Sequence, residues 1–352
     1  MRIHIVGVPR NPSTPHIAVD PYARASYWLT TLLHQNQIET YYYGYVESEV
    51  KCTRKFNIVD SSFHKHYFTT QFENTHWNTS DEADLMFVNN ALFLLQDTVQ
   101  EGDIVVGMWS NYIPQLKSIQ SLGAKVVDGH IGHLSHMGAD YNVFTSTANQ
   151  HFIYGKFGDS TKWNDVVIPP PCDSITEFTY EENKENYILY LARLIESKGI
   201  HIFLDIAKAF PSKKFIIAGQ GNLSDVCSEL PTNVTYVGYA HLEERKKLLS
   251  KAQAVVSPTY YIEPFGLTTI EANLSGTPVI TTDWGGYVDN VVNGVTGFRC
   301  SHFSDFINAI NNLDKINPEN CRKFGEQFTA ENSVRKYINY FSKIFKSTWY
   351  EY

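Results

Sequence analysis

Long apolar runs are missing from this chain of 352 residues. No segment approaches the roughly 18 consecutive apolar residues of a membrane span. The start, MRIHIVGVPRNP, turns polar too early for a signal peptide. Cysteine is scarce: the five residues at 52, 172, 227, 300 and 321 are odd in number, widely spaced and without a CxxC pair. That excludes a zinc site and a disulfide framework, and free thiols in a reducing cytosol are expected. Positive charge is also short. Twenty-nine Lys and Arg face thirty-seven Asp and Glu, a net charge of −8, so no electrostatic footprint for nucleic acid is present. No internal repeat of a solenoid or propeller is visible. His64, His66, His76, His133 and His136 match no metal-ligand spacing, so no metal is expected.

What is present is an ordinary globular balance, with 43% hydrophobic and 19% charged residues. Short apolar runs alternate with helical stretches. Strands are expected at Ile3–Val8, Glu39–Tyr43, Asp103–Met108, Lys125–Val127 and Asn142–Thr145, with helices over Tyr22–Asn36, Glu82–Val99 and Tyr112–Leu122. The segment 44–80 shows no clean period. Pro169, Pro170 and Pro171 then interrupt the pattern. The alternation restarts with a strand at Tyr187–Leu191 and a helix at Gly199–Ala209, and the end, Phe303–Phe345, reads as nearly all helix. Two βαβ arrays joined by a Pro-rich linker imply an α/β protein of two Rossmann-like domains facing a central cleft.

Three clusters carry the chemistry. In TYYIEPFGLTTIEANLSGTPVITTDWGG (259–286), Glu263 and Glu271 stand eight apart, with Gly266 between them at a helix start. The free N–H groups of such a start make a phosphate site from backbone. By spacing alone, a loop acid at Glu263 and a solvated helix acid at Glu271 fit as well as two acids that reach different parts of one elongated ligand. In LYLARLIESKGIHIFLDIA (189–207), Arg193 and Lys198 follow a buried strand, where two cations can neutralise a diphosphate. A surface Arg and Lys on a loop fit that spacing as well. In IAGQGN (217–222), Gly219 and Gly221 follow a strand but lack the third glycine of a dinucleotide fingerprint, so a nicotinamide oxidoreductase is disfavoured. A tight turn needing positive φ is the plain alternative.

In this order the clusters resemble the family 4 glycosyltransferases, retaining enzymes of the GT-B fold. Matching elements are LARLIESKG, IAGQGN, EPFGLTTIE, SGTPVITTDWGG and NGVTGF, over about residues 165–300. The resemblance implies an acceptor-side domain over 1–170, a nucleotide-sugar donor domain over 171–330, and a closing helix over 331–352 that packs back on the first. It implies that Arg193 and Lys198 hold the donor diphosphate, that Glu271 bonds the ribose hydroxyls and that Glu263 lies by the transferred sugar. The turn at Gly219 and Gly221 and the backbone of Phe265, Gly266, Leu267 and Thr268 would complete donor binding. His130, with His133 second, takes the place of the family's His near that sugar. The loop after the first strand lacks the family's Gly pair, and Asp289 stands where a Glu is usual.

The expected function is sugar transfer from a UDP- or GDP-linked donor to a glycan or other hydroxyl acceptor. No cofactor is expected, since the nucleotide sugar is a substrate. The rival readings are a sugar-nucleotide epimerase and a non-catalytic nucleotide-binding protein. The helix ENSVRKYINYFSKIFK (331–346) has the basic, apolar-faced character of a membrane-surface helix. Residues 1–170, however, hold eleven Lys and Arg against sixteen Asp and Glu, so packing on the first domain is preferred to membrane association.

Overall fold

A computed structural model of the chain describes residues 1–17, 20–68, 82–133, 137–158, 162–171 and 175–347. His76 and His136, and the side chain of His64, lie outside what is described. The chain divides into two compact units. One is Met1–Cys172 together with Ala330–Tyr352, and the other is Asp173–Thr329.

The first unit holds strands β1 (Arg2–Val6), β2 (Glu39–Tyr45), β3 (Arg54–Val59), β4 (Ile104–Gly107), β5 (Lys125–Ile131), β6 (Tyr141–Phe144) and β7 (Val166–Val167). They form one parallel sheet in the order β3-β2-β1-β4-β5-β6-β7. Its helices are α1 (Pro21–Gln35), α2 (Ser61–Tyr67), α3 (Glu82–Thr98), α4 (Ile113–Leu116) and α5 (Thr147–Phe157). Helix α1 starts where it does because Asp20 accepts from the N–H groups of Tyr22 and Ala23, both at 3.0 Å, with Pro21 in the first turn. Pro114 lies in a stretch expected as one helix. There α4 is a single turn flanked by 3₁₀ pieces, Ser110–Tyr112 and Lys117–Leu122. In the segment without a period, β3 and α2 form.

The second unit repeats the plan. Strands β8 (Tyr187–Leu191), β9 (Lys214–Ala218), β10 (Val234–Tyr236), β11 (Ala254–Ser257), β12 (Val279–Thr282) and β13 (Gly297–Cys300) form a parallel sheet in the order β10-β9-β8-β11-β12-β13. All five residues of β8 are buried, as expected of a strand covered on both faces. Helices α6 (Ile200–Ala209), α7 (Leu242–Lys251), α8 (Leu267–Leu274), α9 (Tyr287–Asn290), α10 (Phe303–Asn311) and α11 (Pro318–Gly325) cover the sheet.

The last helix, α12 (Ala330–Lys346), belongs to the first unit. Val334, Tyr337, Phe341 and Ile344 recur at helical spacing and are buried, and α12 packs on α1. The Tyr337 hydroxyl donates to the Gly129 carbonyl at 2.7 Å and the Tyr340 hydroxyl to Asn164 O at 2.7 Å. The Lys125 ammonium donates to the carbonyl of Ile344. Among the described residues no helix is long and apolar enough to cross a membrane.

Candidate functional site

In each sheet the strand order reverses direction between its first and fourth strands in sequence, here β1/β4 and β8/β11. Such switch points open a crevice beyond the carboxyl ends of the strands. In the second unit the loops after β8 and β11 hold the expected residues. Arg193 and Lys198 follow β8, and Glu263 and Gly266 follow β11.

These loops meet closely. The N–H of Tyr260 donates to Ser197 O at 3.1 Å. Gly199 has φ +73°, and a Cβ there would lie 2.0 Å from Pro258 O, so the turn before α6 admits only glycine. The Tyr190 hydroxyl at the strand end donates to Arg193 O at 3.1 Å. Lys198 and Glu263 form an ion pair with little exposure on either side. The Tyr261 hydroxyl donates to Glu263 Oε2 at 2.9 Å, and Lys198 Nζ stands 4.9 Å from the Tyr261 ring centroid. Burial, then the Glu263 carboxylate, push the Tyr261 phenol up, while Arg193 pulls it down. Arg193, Lys198, Tyr261 and Glu263 thus form one cluster, with the neutral Tyr261 phenol and the Glu263 carboxylate beside the two cations. Tyr261 was not singled out from the sequence, although it lies only two residues before Glu263.

The segment between the two acids is fixed from below. The Gly286 N–H donates to Glu263 O at 2.6 Å, and a Cβ on Gly286 would lie 2.6 Å from Phe265 Cα. The Asn290 side-chain amide donates to the Phe265 carbonyl. Gly266 has φ +88° and heads α8, which no side chain caps. The first-turn N–H groups of Leu267 and Thr268 therefore keep the anion-binding character of a helix start.

Glu271 lies in the second turn of α8 and is fully buried. Its Oε2 accepts from Arg245 Nε at 2.8 Å and from Arg245 Nη2. Arg245 Nη2 also donates to Thr268 Oγ1 at 3.3 Å. Arg245 was missed in the sequence, because LEERKKLLSK reads as a solvated charged helix and its one guanidinium stands among lysines. The Gly219–Gly221 turn packs on the loop after β8. A Cβ on Gly219 would lie 1.7 Å from Ala192 O, Gly221 has φ +116°, and the Leu194 N–H donates to Gln220 O at 2.7 Å.

His130 belongs to the first unit and lies within β5, which runs on to Ile131, past the strand end expected at Val127. It is buried, with its ring 4.9 Å from Tyr22, and Tyr22 is 4.6 Å from Trp109. Burial, then His133, push the His130 imidazole down to about 3. Burial, then Lys156, push His133 down to about 4. Both rings are neutral near pH 7 and offer one donor and one acceptor each. Two residues earlier in β5, burial raises the Asp128 carboxyl to about 7, with Asp165 adding to the rise and hydrogen bonds from Ser110 and the His130 backbone opposing it. Among the described residues, no group of three or more His, Cys, Asp or Glu could hold a metal ion.

The fold is that of GT-B glycosyltransferase structures, with two parallel-sheet Rossmann-like units. AviGT4, a glycosyltransferase involved in avilamycin A biosynthesis, aligns with a TM-score of 0.71 over 99% of this chain and 98% of its own, at 16% identity. HepE of Anabaena, in complex with UDP and glucose, aligns with a TM-score of 0.66 over 97% of this chain and all of its own, at 16% identity.

In sequence, residues 174–329 match the family described as glycosyl transferases group 1, a stretch that lies within the second unit. Glycogen synthase of Mycobacterium tuberculosis is 34% identical over 124 residues, 32% of this chain and 30% of the relative. A capsular polysaccharide biosynthesis glycosyltransferase, CapM of Staphylococcus aureus, is 31% identical over 150 residues, 40% and 39% of the two chains. A probable sucrose-phosphate synthase of Thermosipho melanesiensis is 33% identical over 208 residues, 50% and 47%. The chain spans between about a third and a half of the length of these curated relatives.

Proposed function

We propose that the protein is a retaining, metal-independent glycosyltransferase of family 4. It moves a sugar from a UDP- or GDP-linked donor to a glycan or other hydroxyl acceptor. The observation that carries the reading is the meeting of Arg193, Lys198 and Glu263 at the β8/β11 switch point, beside the uncapped start of α8. The family match over 174–329 supports it.

In this reading the second unit holds the donor and the first meets the acceptor. The bond between the anomeric carbon and the phosphate oxygen breaks, and the acceptor oxygen bonds that carbon on the same face. The acceptor proton passes to a donor phosphate oxygen, and the nucleoside diphosphate departs. Arg193, Lys198 and the N–H groups of Leu267 and Thr268 take up the charge that develops on the diphosphate. Glu263, tied to Lys198 and Tyr261, is held for hydrogen bonding to the transferred sugar and is not a covalent nucleophile. His130 of the first unit, kept neutral, offers one donor and one acceptor near the carboxyl end of β5.

The test is incubation with UDP-, GDP- and ADP-sugars and a panel of hydroxyl acceptors, followed by NMR of the product's anomeric signal. Nucleoside diphosphate release with a retained anomeric configuration is expected. An inverted product overturns the mechanism. A changed sugar nucleotide formed without acceptor overturns the transferase reading in favour of an epimerase.

A further inference from the structure

We propose that the outward face of α12 is a docking surface for an anionic lipid bilayer, to which the protein adsorbs without inserting a helix. The inference is independent of the sugar-transfer reading and concerns the first unit alone.

Burial divides α12 into two sides. Val334, Tyr337, Phe341 and Ile344 are buried in the first unit, so the apolar stripe is used inside the protein and cannot enter a membrane. Arg335, Lys336, Lys343 and Lys346 are all exposed and fall within about a third of the helix circumference. After Glu331 in its first turn the helix carries no acid. Arg335 donates to Asn332 Oδ1 at 3.0 Å, and none of the four cations pairs with a carboxylate among the described residues. Other exposed helices of this chain are laced with opposite charges. Lys246 pairs with Glu243 on α7, and Arg322 with Glu326 and Lys323 with Glu319 on α11. In a chain of net charge −8, an acid-free basic face is a local exception.

The basic stripe has aromatic flanks. The Tyr340 hydroxyl donates to Asn164 O at 2.7 Å, and Lys336 and Lys343 lie one turn to either side of Tyr340. That bond seats the neighbouring Trp163 on the lysine side; at 80% exposure it is the most exposed large apolar side chain among the described residues. Phe345, 47% exposed, stands on the other flank of the stripe. Aromatic rings at the depth of the headgroups, with cations reaching phosphates around them, are the side chains of an interfacial surface. A nucleic-acid strand is usually tracked by a basic groove, whereas a single straight helix is convex and meets a plane. One Lys or Arg near an anionic leaflet strengthens adsorption about fivefold, the equivalent of about 1 kcal/mol.

The experiment is co-sedimentation of the full chain with vesicles of phosphatidylcholine alone, and of phosphatidylcholine with about one-third phosphatidylglycerol. The variants are Arg335→Gln/Lys336→Gln, Lys343→Gln/Lys346→Gln, all four together, and Trp163→Ser. Lys208→Gln/Lys323→Gln, two exposed cations of the second unit, is the control. The substituted side chains are exposed, and melting temperatures should match the parent. The parent should bind the anionic vesicles and not the neutral ones, and raising salt from about 0.05 to about 0.5 M should release it. Each stripe pair should weaken binding by about tenfold or more, and the fourfold variant should abolish it. Trp163→Ser should weaken binding while keeping its salt dependence, and the control should bind as the parent does. A parent that ignores anionic vesicles, or binds neutral ones equally, would overturn the proposal. So would stripe variants that bind as tightly as the parent, or a control weakened as much as they are. Vesicle binding fully displaced by an equal charge of duplex DNA that the parent binds more tightly would give the stripe to nucleic acid and overturn it as well.

Discussion

Lys198 and Glu263 are 65 residues apart in sequence and in contact in space. The pair neutralises itself in the free protein, so an incoming diphosphate competes with Glu263 for the ammonium. Lys198→Ala should lower kcat/KM on the order of 10²-fold, as removal of other preorganised electrostatic groups does. Steady-state kinetics on a variant of unchanged melting temperature checks this, and an unaltered kcat/KM would take Lys198 out of the site. In the first unit the titrating groups oppose one another. Between the ordinary aspartate value of about 4 and about 7, folded Asp128 holds a proton that the unfolded chain has released, so stability falls as pH rises through that window. His130 and His133 act in the other direction: below about 6.5 the unfolded chain takes up protons that the folded chain refuses, so stability falls as pH falls. Asp128→Asn removes only the first effect. Urea unfolding at about pH 5 and about pH 8 should show the variant gaining on the parent toward the higher pH, by up to about 1.4 kcal/mol per pH unit within the window. A parent–variant difference independent of pH would refute it. Lys198 and Glu263 were legible as residues because each follows a clear apolar strand. Arg245 was not, since nothing local distinguishes a cation aimed at a buried acid on another helix from one aimed at water.

The start of α8 depends on one backbone conformation. Gly266 has φ +88°, and a Cβ there would lie 2.6 Å from Tyr287 Cε1. Gly266→Ala should therefore cost on the order of 1–3 kcal/mol of stability and weaken donor binding together with it. Thermal melts and diphosphate titration on the same sample measure the two, and a variant unaffected in both would mean that the loop relaxes freely. Most elements were readable because their period is strong: β8 is wholly buried and α12 shows a single apolar stripe. Where the period fails, so does the reading. β3, RKFNIV, is an edge strand with mixed faces and no alternation to betray it. β5 continues through Asp128, Gly129 and His130, residues of low strand preference, because pairing with β4 and β6 and burial override local propensity. The helix expected over Tyr112–Leu122 breaks into short turns around Pro114.

At the scale of the whole molecule, two similar sheets divide the chain, each with its own hydrophobic clusters. That there are two parallel-sheet α/β units was legible from the strand–helix alternation that restarts after the triple proline. The metal independence proposed above predicts that EDTA leaves the initial transfer rate nearly unchanged, since in that proposal cations of the chain stabilise the diphosphate. A rate abolished by chelation and restored by Mn²⁺ or Mg²⁺ would sink that expectation. The placement of α12 carries a consequence for how the molecule is made. A ribosome delivers the amino end first, yet α12, the helix whose Tyr337 bonds Gly129 O and whose Phe341 is wholly buried, emerges only after the whole second unit. The second unit is an insertion that can complete itself while the first is still waiting. A premature stop codon near residue 330 would therefore spare the later-made unit and leave the earlier-made one unfinished, a nascent chain open to chaperones and proteases at its beginning.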